Sequence, residues 1–279
     1  MIFPRLIWAS LAVALLVGTV QSGVQQWQAV PIVQAAEMYE RQRLEASSAP
    51  AAAQAQAHVH GHAEGVAPEP AHAHDAAQAW TPAEGAERIF WTWTANILHA
   101  FSMALLVFAV MGVCVWRGTA VRSLHLGCLV AAAGWISFHF WPSLGLPAEI
   151  PGMDAARLGS RQGWWLLAAV SAGLACALLA GWRSPLRWVA AAAWLALPFV
   201  AGAPHIAADP LAGLSGDAQA QLRELGAQFV WATTWVSLSF WLAIGVACGA
   251  AFQRWLRPLL QANFESLKPN ALVAKAVNP

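Results

Sequence analysis

Between Arg88 and Arg117 the chain reads IFWTWTANILHAFSMALLVFAVMGVCVW (residues 89–116), 28 residues without an Asp, Glu, Lys or Arg. A helix needs about 20 apolar residues to cross the hydrocarbon core of a bilayer. Further charge-free stretches lie between Arg5 and Glu37, Arg122 and Glu149, Arg161 and Arg183, Arg187 and Asp209, and Glu224 and Arg254. They run for 31, 26, 21, 21 and 29 residues. Each holds one spanning helix and none is long enough for two. The fold predicted is all-α: a polytopic transmembrane helix bundle of about six spanning helices with a long external loop. Composition agrees. Of 279 residues, 58% are hydrophobic and 10% charged, with mean hydropathy +0.50. Soluble domains carry about 25% charged residues, so too little polar surface exists to clothe a water-soluble globule. A net charge of +1 offers no general attraction to nucleic acid.

The stretches divide the chain into a first transmembrane helix (1–33), an external low-complexity loop (34–88), a five-helix membrane bundle (89–253) and a cytoplasmic tail (254–279). The first stretch also has features of a signal peptide, Arg5 followed by the apolar run Leu6–Val17. No good small-x-small cleavage site follows, so an uncleaved helix is expected. Orientation comes from basic charge, which collects on the cytoplasmic side. With both termini inside, the tail and the short connections put Arg5, Arg117, Arg122, Arg183, Arg187, Arg254, Arg257, Lys268 and Lys275 there against Glu265 alone. The other side holds the remaining acids. Trp27, Trp91, Trp93, Trp141, Trp164 and Trp165 then fall near the outer interface, and Trp116, Trp182, Trp188 and Trp255 near the inner one, as aromatic belts do. Gly245 and Gly249 form a G-x-x-x-G, which reads as close helix packing.

The sharpest chemical signal is in the external loop: His58, His60 and His62, then His72 and His74 followed by Asp75. Imidazoles two apart project to the same side of an extended chain. Such pairs chelate late first-row metals without a prebuilt site, and do not choose among them. The loop reads as metal capture, or else as a neutral spacer. Within the bundle, Gln25, Gln26, Asn96, His99 and His139, with His205 just beyond the end of the fifth helix, share one depth near the outer side, which suits an entrance vestibule or plain packing. No carboxylate or cation lies deep in a span, which argues against a charge-coupled pump, and no P-loop is present. Cys114, Cys128, Cys176 and Cys248 form no C-x-x-C and read as small apolar residues. No nucleophile elbow or H-E-x-x-H appears, so an enzyme is not expected.

Several segments together resemble a known family. They are Val24-Gln25-Gln26, Ala36-Glu37 with Tyr39-Glu40, the His-rich loop, and Trp80-x-Pro82-x-x-Gly85-x-Glu87-Arg88. With them go Phe138-His139-x-x-Pro142-Ser143-Leu144-Gly145-Leu146-Pro147-x-Glu149-x-Pro151-Gly152, Arg161-Gln162-x-Trp164-Trp165, Leu197-Pro198 and Gly202-Ala203-Pro204. The chain resembles the CbtA family of cobalt transporter subunits, from about Leu6 to Arg254. The resemblance implies a bacterial inner-membrane protein linked to cobalamin metabolism, working with a small single-span His-bearing partner, CbtB. The family often has His after the proline of helix five, where this chain has Phe199. Read physically, Pro147 and Pro151 end helix three in a stiff turn that holds Glu149 above His139. A carboxylate and an imidazole so held suit a transient divalent cation; alternatively Glu149 pairs with Arg157 or Arg161.

These readings predict a permease subunit for a divalent transition metal, cobalt or else nickel. Its site residues are His58, His60, His62, His72 and His74 for capture and His139 with Glu149 for relay. No permanently bound cofactor is expected, and the partners are the metal ion, membrane lipid and the CbtB-like subunit. Two alternatives stay open: a metal-binding accessory or sensor without transport, and a b-type haem protein using His99 and His139.

Overall fold

The computed structural model describes residues 2–57, 82–206, 209–211 and 214–266. Among them every regular element is helical. In chain order they are α1 (Phe3–Gln28), α2 (Val30–Ala57), α3 (Ala86–Trp116), α4 (Ser123–Trp135), a π turn (Ile136–Phe140), α5 (Trp141–Ser143), α6 (Leu158–Gly181), α7 (Leu186–Ala201), α8 (Gly216–Ala251), a second π turn (Phe252–Leu256) and α9 (Arg257–Ser266). The predicted all-α bundle is what the chain forms.

Five rods are long and apolar enough to cross a membrane: Ile2–Gln28, Ala86–Trp116, Ser123–Ser143, Leu158–Gly181 and Gly216–Asn263. The sixth stretch, between Arg187 and Asp209, differs from expectation. Its helix α7 has 16 residues, about 24 Å at 1.5 Å per residue, against a core of about 30 Å. Local chemistry cuts it short. Gly202 ends it at φ 82, in the left-handed region that favours glycine, and Pro204 follows.

The stretch expected as loop also begins differently. Gln34–Ala57 continues as helix α2. Ala, Glu, Gln, Arg and Leu dominate it, and these are strong helix formers even without an apolar stripe. Pro31 sits in its first turn, where no N–H is missed. At the other end, the helical rod beginning with α8 runs through the second π turn into α9, so the expected tail starts as helix.

Both π turns have the same cause. Each ends two residues before a proline, Pro142 or Pro258, and the N–H of the residue between reaches back five residues, Trp141 to Ile136 O and Arg257 to Phe252 O. A proline inside a helix lacks its N–H and drives its ring into the carbonyl four residues back. Widening the helix by one residue accommodates the ring without breaking the rod.

The bundle packs α1, α3, α4 and α8 through small residues. The core includes Ala9, Val13, Ala14 and Val17 of α1, Ala100, Ala104 and Val107 of α3, and Ile244, Cys248 and Ala251 of α8, with larger side chains such as Phe108, Met111, Phe240 and Phe252 filling between them. Lipid is as apolar as these side chains, so close van der Waals fit, not hydrophobic expulsion, holds the rods. The predicted G-x-x-x-G does this. A methyl group on Gly127 would lie 2.5 Å from Gly245 O and 2.8 Å from Gly249 Cα, so α4 and α8 touch backbone to backbone.

One end of the bundle carries a cap. The first turns of α2, the loop after α5, the segment before α8 and the first turns of α8 enclose Ala36, Ile150, Leu211 and Leu222, with Tyr39, Met153, Leu225 and Phe229 around them. Arginines latch it. Arg43 meets Asp154 and Gly152 O at 2.8 Å each, Arg88 meets Glu37 at 2.6 Å, Arg161 meets Glu149 at 2.6 Å and Arg223 meets Asp209 at 3.3 Å. Among the described residues the opposite end has the start of α1, the short connections 117–122 and 182–185 and the start of α9.

Candidate functional site

His139 lies on the first π turn, near the capped end of the third span. Without the wide turn, Pro142 could not follow so closely in a continuous rod. The imidazole Nε2 is 3.4 Å from Thr234 Oγ1 of α8, and its ring lies 6.1 Å from that of Trp135, one turn earlier. The half-buried Trp135 has an indole N–H with no hydrogen-bond partner among the described residues. On the other side of the turn the Ser137 hydroxyl donates to Ala133 O at 2.7 Å and faces Gly173 of α6. The histidine and the hydroxyl therefore address different neighbours, α8 and α6.

Glu149 lies in the loop beyond α5, held by Arg161 from the first turn of α6. That is one of the two pairings the sequence left open, and it gives the carboxylate a cationic partner of its own. His139 and Glu149 thus have separate partners. His99 packs its ring 5.0 Å from Phe240. Thr234 and Phe240 are six residues apart on α8, so the two intramembrane histidines meet that helix about 9 Å apart along its axis. Among the described residues no group of three or more His, Cys, Asp or Glu side chains could hold a metal ion. His58, His60, His62, His72 and His74 lie outside the described residues.

Several other polar groups inside the bundle satisfy each other, although the buried hydroxyls of Ser10 and Ser171 have no partner among the described residues. Asn96 donates to Ser22 Oγ at 3.0 Å and to Gln25 Oε1 at 2.7 Å, and Trp93 donates to Thr19 Oγ1 at 3.1 Å. These tie α1 to α3. The shared depth of Gln25 and Asn96 was legible in the sequence; their pairing across helices was not. Thr234 was missed altogether, because a threonine at membrane depth bonds readily to its own helix, and here its hydroxyl also donates to Val230 O at 2.8 Å.

Three of the motif segments quoted above converge. The loop Leu144–Pro147 turns over α6, where an added methyl on Gly145 would lie 2.3 Å from the Trp164 ring. The Trp164 indole N–H donates to Pro198 O of α7 at 2.9 Å. Phe199 stands edge-on to Trp141 and Trp164, at 5.5 and 5.9 Å. Trp141 donates to Leu195 O at 3.1 Å. The Leu-Gly-Leu-Pro turn, the Arg-Gln-x-Trp-Trp start of α6 and the Leu-Pro end of α7 are therefore one aromatic joint beneath the cap, with the partly exposed Phe199 against both indoles.

No curated protein and no solved structure shows a match to the chain. The family model described as "Probable cobalt transporter subunit (CbtA)" matches residues 3–253. That span takes in all the membrane rods from α1 to α8, the cap and the aromatic joint. The chain is a multi-pass membrane protein, and it belongs to the CbtA family of cobalt transporter subunits.

Proposed function

We propose that the chain takes up a divalent transition metal, cobalt before nickel, across the bacterial inner membrane, with the cap outside and both termini in the cytoplasm. The charge distribution supports this orientation. Glu37, Glu40, Glu84, Glu87, Glu149, Asp154, Asp209, Asp217 and Glu224 belong to the capped end, while at the other end the short connections carry arginine as their only charge and α9 has Glu265 as well as Arg257. His58, His60, His62, His72 and His74 gather the ion outside. His139 receives it at the mouth of the bundle, with Thr234 beside it, and Glu149 lends its carboxylate when Arg161 moves off. These are weak sites, and weakness suits conduction, since an ion bound too tightly does not leave. No cofactor stays bound, no reaction is catalysed, and the partner within the transporter is a small single-span subunit carrying histidine, CbtB-like.

The observation that carries this reading is the placement of His139: a histidine at membrane depth, on a π turn, under an acid-rich cap. Uptake of radioactive cobalt by cells with and without the gene tests it. Deleting His58–His74 should reduce uptake at scarce metal and matter little when metal is abundant, since a flexible chelator only raises local concentration. His139→Ala should reduce it at all concentrations. Unchanged uptake without the gene would leave a metal-binding accessory role. An alkaline phosphatase fusion at Val66 should be active and one at Pro279 silent.

A further inference from the structure

The end of the bundle away from the cap carries arginines whose positions the transport reading does not use. Arg257 is engaged by Val121 O at 3.2 Å and Ser123 Oγ at 3.1 Å. Two others converge on the last residues of α6. Arg117, at the end of α3, lies over Gly181: an added methyl there would be 3.3 Å from its Nη1. Arg187, in the first turn of α7, donates from Nη1 to Trp182 O at 3.3 Å, and its guanidinium lies 5.2 Å from the centre of the Trp188 ring. Gly181 and Trp182 are adjacent, so guanidinium groups from two separate rods meet neighbouring residues at the end of α6. No carboxylate pairs with either arginine among the described residues, and Arg183 adds a third charge beside them.

Two features say what meets these charges. Trp116, Trp182 and Trp188 are 68%, 41% and 62% exposed around the pair, and amphipathic indoles of this kind sit at headgroup level. The second is the length of α7. At about 24 Å it falls short of the hydrocarbon core, and a short rod draws the lipid surface inward at its ends. Arg187 stands at one of those ends. A planar guanidinium offers paired N–H donors that fit a phosphate.

We propose that Arg117 and Arg187 bind the phosphate of an anionic phospholipid headgroup at the α6–α7 turn. The proposal does not rest on the metal-transport reading. Helix ends also favour a nearby cation through their exposed carbonyls, which explains one arginine per end but not two rods sharing one. The purified full chain in detergent, probed by native mass spectrometry with dioleoyl phosphatidylglycerol and with dioleoyl phosphatidylcholine, decides it. The wild type should retain phosphatidylglycerol in preference. Arg117→Gln and Arg187→Gln should each weaken that binding about fivefold, and the double variant about thirtyfold, from about 1 kcal/mol per arginine near a headgroup. Arg5→Gln removes a charge from α1, which packs on α2, α3 and α8, and should leave binding intact. Arg117→Lys with Arg187→Lys keeps the charge and the fold and should fall between wild type and the glutamine pair. Equal retention of phosphatidylcholine overturns the proposal, as does undiminished phosphatidylglycerol binding in the single glutamine variants. Full displacement of the lipid by millimolar inorganic phosphate would assign the site to a free anion and overturn it too.

Discussion

The two halves of this molecule are held by opposite means. In the bundle, α4 crosses α8 through Gly127, Gly245 and Gly249, and no charged side chain takes part. In the cap, a small apolar cluster around Leu211 and Leu222 is fastened by Arg43, Arg88, Arg161 and Arg223, each on a carboxylate. The solvent explains the difference. Lipid gives no reward for burying leucine, so rods associate where backbones can approach closely. Water does reward it, but screens charges, so a thin cap uses both a few buried apolar groups and many modest ion pairs. The bundle should therefore fail abruptly when its fit is spoiled, and the cap should loosen in small steps.

The largest effect is expected in the bundle. Gly127→Leu would drive a side chain into the Gly245 carbonyl and the Gly249 backbone, which cannot swing aside as a flexible side chain can. Overpacking of this kind costs about 1–3 kcal/mol where neighbours adjust, and more where they are backbone. We expect little monodisperse protein after solubilisation, and a strongly lowered unfolding temperature for what remains. Gly159→Leu, at an open position in the first turn of α6, should be tolerated. Equal behaviour of the two variants would break the comparison.

Most of this division was legible in the sequence, for physical reasons. Hydrocarbon excludes charge, so the gaps between charged residues marked the rods, and Gly245 with Gly249 marked the tightest crossing. What was not legible depends on contacts between distant segments. The helix at Gln34–Ala57 has no apolar stripe to betray it, and the repetitive Ala and Gln that read as low complexity are good helix formers. The short α7 came from the Gly202 end, which a charge count does not see. For the site, His139 and Glu149 could be named, and Arg161 appeared as one of two partners. The choice between Arg157 and Arg161, and the presence of Thr234 beside His139, needed the fold.

The next largest effect concerns cobalt flux at the boundary between the halves. His139→Ala should lower flux several-fold while the protein still inserts, because the ring is half-buried and its truncation leaves the core residues in place. Thr234→Val keeps the shape, removes the hydroxyl and should lower flux less. Flux should also fall when the external medium is made acidic enough to protonate the imidazole, since a protonated ring cannot ligate a cation. The test uses a chain lacking His58–His74, so that loop histidines do not set the profile. Wild-type flux in His139→Ala would remove the histidine from the path and leave it as a packing group.

Glu149 separates two roles in one experiment. As a latch it works only with Arg161, so Glu149→Gln and Arg161→Met should then change flux alike. As a ligand its carboxylate is contested between Arg161 and the metal ion, so Glu149→Gln should lower flux while Arg161→Met should hold or raise it. The ligand role is the outcome expected from the proposed path. Both variants should cost stability only modestly, about 1 kcal/mol or less, because both side chains are more than a quarter exposed and screened by water.

The smallest effect expected is at Arg43 and Asp154, and it asks whether the cap is a unit or a set of separate latches. The pair is 2.8 Å long but exposed, with Asp154 55% accessible, and Arg43 also donates to Gly152 O. Asp154→Asn removes the charge and keeps an acceptor; Arg43→Gln removes both contacts. A double-mutant cycle on cap opening, read by amide hydrogen exchange along 30–43, should return a coupling of about 0.2–1 kcal/mol for the charge pair. Salt should shrink it, because the Debye length falls to about 3 Å at 1 M. The Gly152 contact is to a carbonyl and should survive salt. Exchange in α4 and in α8 beyond Thr234 should not change in any of these variants, since the glycine crossing there owes nothing to charge. If loosening the Arg43 latch speeds exchange in α4 as well, cap and bundle open together and the contrast between the two halves fails.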